Sequence, residues 1–177
     1  MVTLVPINLY SQFEIEWHKF FGGNEDDDVV EVIETLDGGI VVLGSTESSE
    51  GDFGPSNGMI DTYIYKMNQE GELLWSKRFG GSEDDYPTSI VQDLNGVFYL
   101  SIFTKSNDGI FASNFGEFDA WIIKLDSDGN QTDVFNLTSN TDKTIFETYC
   151  LKIEENKYIL NGTFSTHKSG EVGTYIC

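Results

Sequence analysis

Short apolar, β-branched runs separated by glycine-bearing turns fill most of the chain. Val29 to Leu36 is apolar, Asp37-Gly38-Gly39 breaks it, and Ile40 to Thr46 returns. This is the signature of a tight β-hairpin, in which glycine supplies the positive φ of a twisted turn. A longer loop, Glu47 to Ile60, carries Gly51, Gly54, Pro55 and Gly58. A second hairpin follows, with Asp61 to Met67 and Leu73 to Phe79 joined at Gln69-Glu70-Gly71. The pattern recurs at Ile90 to Leu94, Val97 to Thr104, Asp119 to Leu125 and Thr132 to Leu137. No segment of useful length has a helical period, so the spacing predicts an all-β chain.

The recurrence is an internal repeat. Trp17-His-Lys-Phe-Phe-Gly-Gly-Asn-Glu-Asp-Asp returns as Trp75-Ser-Lys-Arg-Phe-Gly-Gly-Ser-Glu-Asp-Asp, 58 positions later. Residues 17–74 and 75–132 align without a gap and share 19 identities. They include Gly38/Gly96, Thr46/Thr104, Gly51/Gly109, Phe53/Phe111, Asp61/Asp119, Lys66/Lys124 and Gly71/Gly129. A weaker third copy, 133–177, places Gly162 opposite Gly44 and Thr174-Tyr-Ile opposite Thr62-Tyr-Ile.

Four strands per unit, punctuated by glycine and bulky aromatics (Tyr63, Tyr65, Trp75, Trp121), match the blade of a β-propeller. Such a unit cannot bury both faces alone and must stack on its neighbours. The phase fits: Phe13 to Phe21 corresponds to a last strand placed before the first full unit, and the third unit stops after its third strand. The first strand could therefore complete the last blade. Three blades are too few for an ordinary closed ring. Further repeats, self-assembly, or a threefold β-trefoil-like fold are the alternatives, and a larger ring is the preferred expectation.

Composition narrows the function more than the fold. Thirty acidic against ten basic residues give a formal charge of −20. That balance opposes nucleic acid and anionic membrane surfaces, which need Lys and Arg. No apolar run reaches the roughly 20 residues of a membrane span. Two cysteines, Cys150 and Cys177, and two histidines, His18 and His167, show no zinc-ligand spacing and leave little material for a nucleophilic triad. The cysteines could form a disulfide or simply pack as small hydrophobes. Residues 1–12 have the apolar stretch and small-residue end of a signal peptide without its basic start. They read equally as a truncated signal peptide, placing the repeat region at 13–177, or as an apolar first strand.

The full pattern is Gly-Gly-x-Glu-Asp-Asp, then Asp-Gly-Gly-x-x-Val-x-Gly-x-Thr-x-Ser, then Gly-x-x-Asp-x-(Tyr/Trp)-x-x-Lys with a following Gly and Trp. It resembles a tandem repeat of predicted propellers found in exported surface and secreted proteins of Bacteroidota. The likeness covers roughly residues 17–177. It is degraded in the third unit, where Thr138-Ser139 replaces Gly-Gly, and the second unit departs at Val97 and Ile102. It implies a propeller scaffold and a secreted or cell-surface location in a Gram-negative bacterium. It does not imply one activity, because propellers host many functions.

In such a scaffold the loops Gly22–Asp28, Glu47–Ile60, Gly80–Tyr86 and Lys105–Phe118 emerge on one face, where binding residues commonly sit. The face is acidic. Glu25, Asp26, Asp27, Glu83, Asp84 and Asp85 could supply oxygen ligands to calcium, or could instead cap turns by accepting backbone N–H groups. Asp126 to Asp133 starts like a calcium loop but lacks its distal glutamate, and reads as a hairpin turn. Asp61 and Asp119 read as turn residues. Phe53, Phe111 and Phe115, with Asp52 and Asp108, are the expected binding contacts. The resulting expectation is a non-enzymatic module presenting this face to a protein or glycan partner. The alternative is a polysaccharide-active enzyme or its accessory module, which would need two carboxyl groups in unlike environments. Identical acids in successive repeats favour binding, since an active site is a single asymmetric constellation.

Overall fold

The computed structural model describes residues 16–114 and 118–137 and, beyond them, the backbone of three strands. The expectations for residues 1–12, for Phe115 and for a Cys150–Cys177 bridge lie outside the described residues and side chains. Among the described residues no helix is long and apolar enough to cross a membrane.

The chain is all-β. β1 (Asp27–Glu34), β2 (Ile40–Thr46), β3 (Asp61–Met67) and β4 (Leu73–Phe79) form one antiparallel sheet in sequence order. β5 (Asp85–Gln92), β6 (Phe98–Thr104), β7 (Asp119–Leu125) and β8 (Gln131–Asn136) form a second with the same order. A third sheet holds β9 (Lys143–Glu154), β10 (Lys157–Thr166) and β11 (Val172–Ile176). The two four-stranded sheets correspond to the two strong repeats.

Two starts differ from the sequence pattern. β1 and β5 begin at Asp27 and Asp85, because these acids join the ladder opposite Thr46 and Thr104. Register shifts fall between Val29 and Glu31 in β1 and at the equivalent Pro87 and Ser89 in β5. A bulge is where a strand tolerates a residue with no N–H to give, so Pro87 does not end β5.

The sheets stack face to face. Val41, Leu43 and Ile64 of the first sheet pack against Ile90, Phe98, Leu100, Trp121 and Ile123 of the second in one core cluster. Burying each such side chain contributes roughly 1.5–3 kcal/mol. The step between sheets repeats: β5 lies against β1, β2 and β3, and β9 lies against β5, β6 and β7.

A tryptophan locks the step from the first sheet to the second. Trp75, on β4, covers the turn between β7 and β8, and its indole N–H donates to the Ser127 carbonyl at 3.2 Å. A Cβ at Gly129 would sit 2.8 Å from that ring, and Gly129 also has φ +75°. Trp17 repeats this over Gly71, donating to the Gln69 carbonyl at 2.9 Å. The spaced Gly and Trp of the repeat are therefore the two halves of one contact. Gly54 has φ +71° but open space around it. Gly54→Ala should cost only the left-handed penalty, about 1–2 kcal/mol. Gly129→Ala adds a clash with Trp75 and should cost clearly more in urea unfolding.

Candidate functional site

The acidic motif builds the loop face by holding its own backbone. Asp85 is fully buried; it accepts from the Gly81 N–H at 2.7 Å, from the Ser106 hydroxyl at 2.8 Å and from the Thr104 hydroxyl. Ser106 in turn accepts the Glu83 N–H at 3.0 Å. Asp27 does the same in the first repeat, accepting from Gly23 N–H at 2.8 Å, Ser48 at 3.1 Å and Thr46. Thus the Gly-Gly-x-Glu-Asp-Asp and Thr-x-Ser segments are one clamp, joining the loop before a sheet's first strand to the loop after its second. A Cβ on Gly23 or Gly81 would lie 2.5 Å from the clamp serine's Cβ, so glycine is needed there.

The other acidic residues are held too, Asp84 through its carboxyl and Glu25, Asp26 and Glu83 through their backbone. Asp84 pairs with Lys105 at 2.7 Å, and its carbonyl accepts the Lys105 N–H. The Asp26 carbonyl accepts the Glu47 N–H at 2.9 Å, while the backbone N–H of Glu25 donates to Ser48 at 3.0 Å. Among the described residues no three His, Cys, Asp or Glu side chains converge to hold a metal ion. Asp126 is a turn cap, accepting from Asp128 and Asn130 N–H groups at 3.0 and 2.8 Å, which holds its carboxyl below the usual range.

The expected binding contacts divide. Phe111 is not exposed: the short 3₁₀ turn Gly109–Phe111 swings it into the core, edge-on to Trp121 at 5.5 Å. Phe53 is half-buried and stacks on Tyr63 at 4.2 Å. Asp52 and Asp108 are exposed, and each ties a glycine-rich loop, accepting from Gly22 N–H at 3.0 Å and Ser82 N–H at 2.9 Å.

The sequence pattern misses Arg78, the only arginine in the chain. Its side chain is 8% exposed and binds Asp61 at 2.6 Å through Nε, while Nη1 donates to the Ser48 and Gly54 carbonyls. The signal for it was its departure from the repeat: Phe20 and Asn136 stand at the same phase. Arg78 also lines a cavity of about 460 Å³ at the seam of the first two sheets, with Asn57, Gly80, Gly81, Asp108 and Gln131. Phe79 and Ile110 add apolar surface to its lining.

Burial pushes the Asp85 carboxyl up to about 6, the negative charge of Asp61 adding to the shift, against the pull of Thr104, Gly81 and Ser106. Hydrogen bonds from Lys66 and then Thr35 hold Asp37 down at about 2. Both acids are thus displaced, in opposite directions. No protein-family model matches the chain, and no curated protein matches it.

For Asp85 the folded value lies above that of the free side chain, so its contribution to stability grows as pH falls from about 7 toward 4. Asp37 acts oppositely, its contribution being lost only as pH falls from about 4 through 2. Melting temperature should therefore carry a rising Asp85 component between pH 7 and 5, flattened in Asp85→Asn. Asp85→Ala leaves the Gly81 N–H and two hydroxyls unpaired and should cost about 2–4 kcal/mol. Because the clamp acids Asp27 and Asp85 are already bonded to donors, melts in calcium, magnesium and chelator at matched ionic strength should coincide; a calcium-specific rise would instead favour calcium at these loops.

Proposed function

We infer that the chain is a non-enzymatic, exported or cell-surface binding module built of propeller-like blades. Its loop face presents an acidic rim and a cavity of mixed polar and apolar lining to a protein or glycan partner. The observation that carries this reading is the cavity at the first seam. There Asn57, Arg78 and Gln131 replace the Phe115, Phe20 and Leu73 of the neighbouring repeat phase on an otherwise periodic scaffold. Periodic residues maintain a fold, whereas a local departure that opens a lined cavity creates something particular. A volume of about 460 Å³ is within the range of small-ligand sites, roughly 300–1,000 Å³. The identical step from sheet to sheet supports the blade reading. The surrounding charge of −20 favours a neutral, hydroxyl-rich or cationic partner over an anionic one.

The enzyme alternative has less support. Asp61 and Asp85 feel each other's charge, as a catalytic pair would, but both are fully buried. A carboxyl group that does acid–base work must reach substrate.

Asn57 and Gln131 are exposed, so truncating them spares the core. A glycan array and a panel of basic proteins, read with the wild-type chain, should return a binder. Asn57→Ala/Gln131→Ala should weaken it by about tenfold, the weight of one or two hydrogen bonds, with the melt unchanged. Undiminished binding by that variant would remove the cavity from the site.

A further inference from the structure

Given that the cavity at the first seam is a binding site, as read above, its lining narrows the chemistry of the ligand. Four segments meet there: the long loop at Asn57, the end of β4 at Arg78, the 3₁₀ turn with Asp108 before it, and the start of β8 at Gln131. Each brings a polar side chain. Phe79 and Ile110 bring apolar surface between them. Asn57, Asp108 and Gln131 are exposed, so their amide and carboxyl groups are open to a ligand, whereas Arg78 is embedded in the wall.

The guanidinium in that wall is not fully used. Its Nε donates to Asp61 at 2.6 Å, and Nη1 donates to the Ser48 and Gly54 carbonyls at 2.8 and 3.1 Å. Nη2 is buried and has no hydrogen-bond partner among the described residues. Buried polar atoms are nearly always partnered, so one that is not, on a side chain lining a cavity, points to a ligand acceptor. The positive charge, in contrast, is already matched by Asp61, which is fully buried beside it. Asp61 also accepts the Asn57 N–H at 2.9 Å, so the same acid fixes the wall and the rim. Lys105, near the same loops, is paired with Asp84. What remains is a donor at Arg78, a carboxylate acceptor at Asp108, and two amides that can do either.

Each ligand class meets this set differently. An ammonium brings donors only, so it cannot accept from Arg78. A carboxylate or phosphate brings acceptors only; it cannot take up the Asp108 acceptor, and it meets a chain of formal charge −20 with no unpaired cation in the lining. A hydroxyl both donates and accepts. One hydroxyl cannot engage four segments, but a ring carrying several can, and its C–H face suits Phe79 and Ile110. We propose that the seam cavity binds a neutral sugar residue of a glycan. Its hydroxyls accept from Arg78, donate to Asp108 and bond to the amides of Asn57 and Gln131, with the apolar face of the ring on Phe79 and Ile110. A cavity of about 460 Å³ holds one such ring with room for the start of a second.

The isotope-labelled chain, followed by nuclear magnetic resonance, can be titrated with the methyl glycosides of glucose, galactose, mannose, fucose and N-acetylglucosamine. Methyl glucuronide and methyl glucosaminide serve as the charged counterparts. A neutral glycoside should shift the Gly80 and Gly81 amides, the Arg78 Nε–H and the Gln131 side-chain amide together, and saturate. The charged counterparts should bind at least about tenfold more weakly. Asp108→Asn keeps an oxygen for the Ser82 N–H and should cut the preference for neutral over acidic sugar by about tenfold. A purely structural Asp108 would leave that ratio alone, and an unchanged ratio removes Asp108 from the contact. Equal binding of either charged counterpart overturns the neutral-sugar assignment. Glycoside shifts confined to other residues overturn the site. If no glycoside binds but a basic protein does, with affinity lowered by Asn57→Ala/Gln131→Ala, the sugar is overturned and the binding-module reading stands. If neither binds, both are overturned.

Discussion

The stacking in this fold follows from a first sheet that is apolar on both faces. An antiparallel sheet with one wet face can stand on a single layer of core, but Val41 and Val42 are neighbours on β2, point to opposite faces, and are both buried. Such a sheet needs cover on either side, and the repeat supplies copies of the same meander. Stacking like on like requires a fixed offset, which the Trp75 contact sets between the first and second sheets. Trp75 fits only over a turn whose fourth residue has no Cβ, and the indole N–H bonds to a carbonyl of that same turn. The contact joins fourth strand to following hairpin, so it specifies the relation between sheets rather than the structure of either one.

The aspartate clamp is the counterpart at the other end of the strands. Long loops leave backbone N–H groups without ladder partners. In both repeats one carboxylate takes a glycine N–H and two hydroxyls, fixing the entry to a sheet against the exit from its first hairpin. In the second repeat the clamp is wholly buried and lies within the field of Asp61, so two acids share a low-dielectric region. Arg78 offsets that cost at Asp61, and in doing so it shapes the cavity wall. Structure and site meet in one guanidinium.

Much of this was legible beforehand. The bounds of β2, β3, β4 and β7 follow from glycine turns and β-branched runs, and the repeat forecast matched sheets of equal order. The starts of β1 and β5 were not legible, because Asp27 and Asp85 look like loop acids until their ladder partners, Thr46 and Thr104, are known. Phe111 was misread for a related reason: a loop position suggests exposure, but a single 3₁₀ turn suffices to return a ring to the core. The clamp was half legible. Its acids recur with Thr-x-Ser, yet a carboxylate satisfied by serine and one satisfied by calcium look alike in sequence. Arg78 carried a signal that a search for likeness passes over, since it is a difference between copies.

That last point bears on how a repeat protein acquires a site at all. Copies that share a residue share its job, and the shared residues here, Asp27/Asp85, Ser48/Ser106 and Gly71/Gly129, all serve the scaffold. Function must then reside where copies diverge without breaking the shared contacts. The phase of Arg78 meets this condition: its neighbours Phe79 and Gly80 match Phe21 and Gly22 one repeat earlier, while position 78 is arginine where that copy has Phe20. On the second sheet Asn136 still reaches a loop carbonyl, so a hydrogen bond to the loop survives the change of side chain. What changes is charge and reach. The divergence therefore alters the chemistry of the seam while the step between sheets stays the same, which is the arrangement a binding module on a periodic scaffold requires.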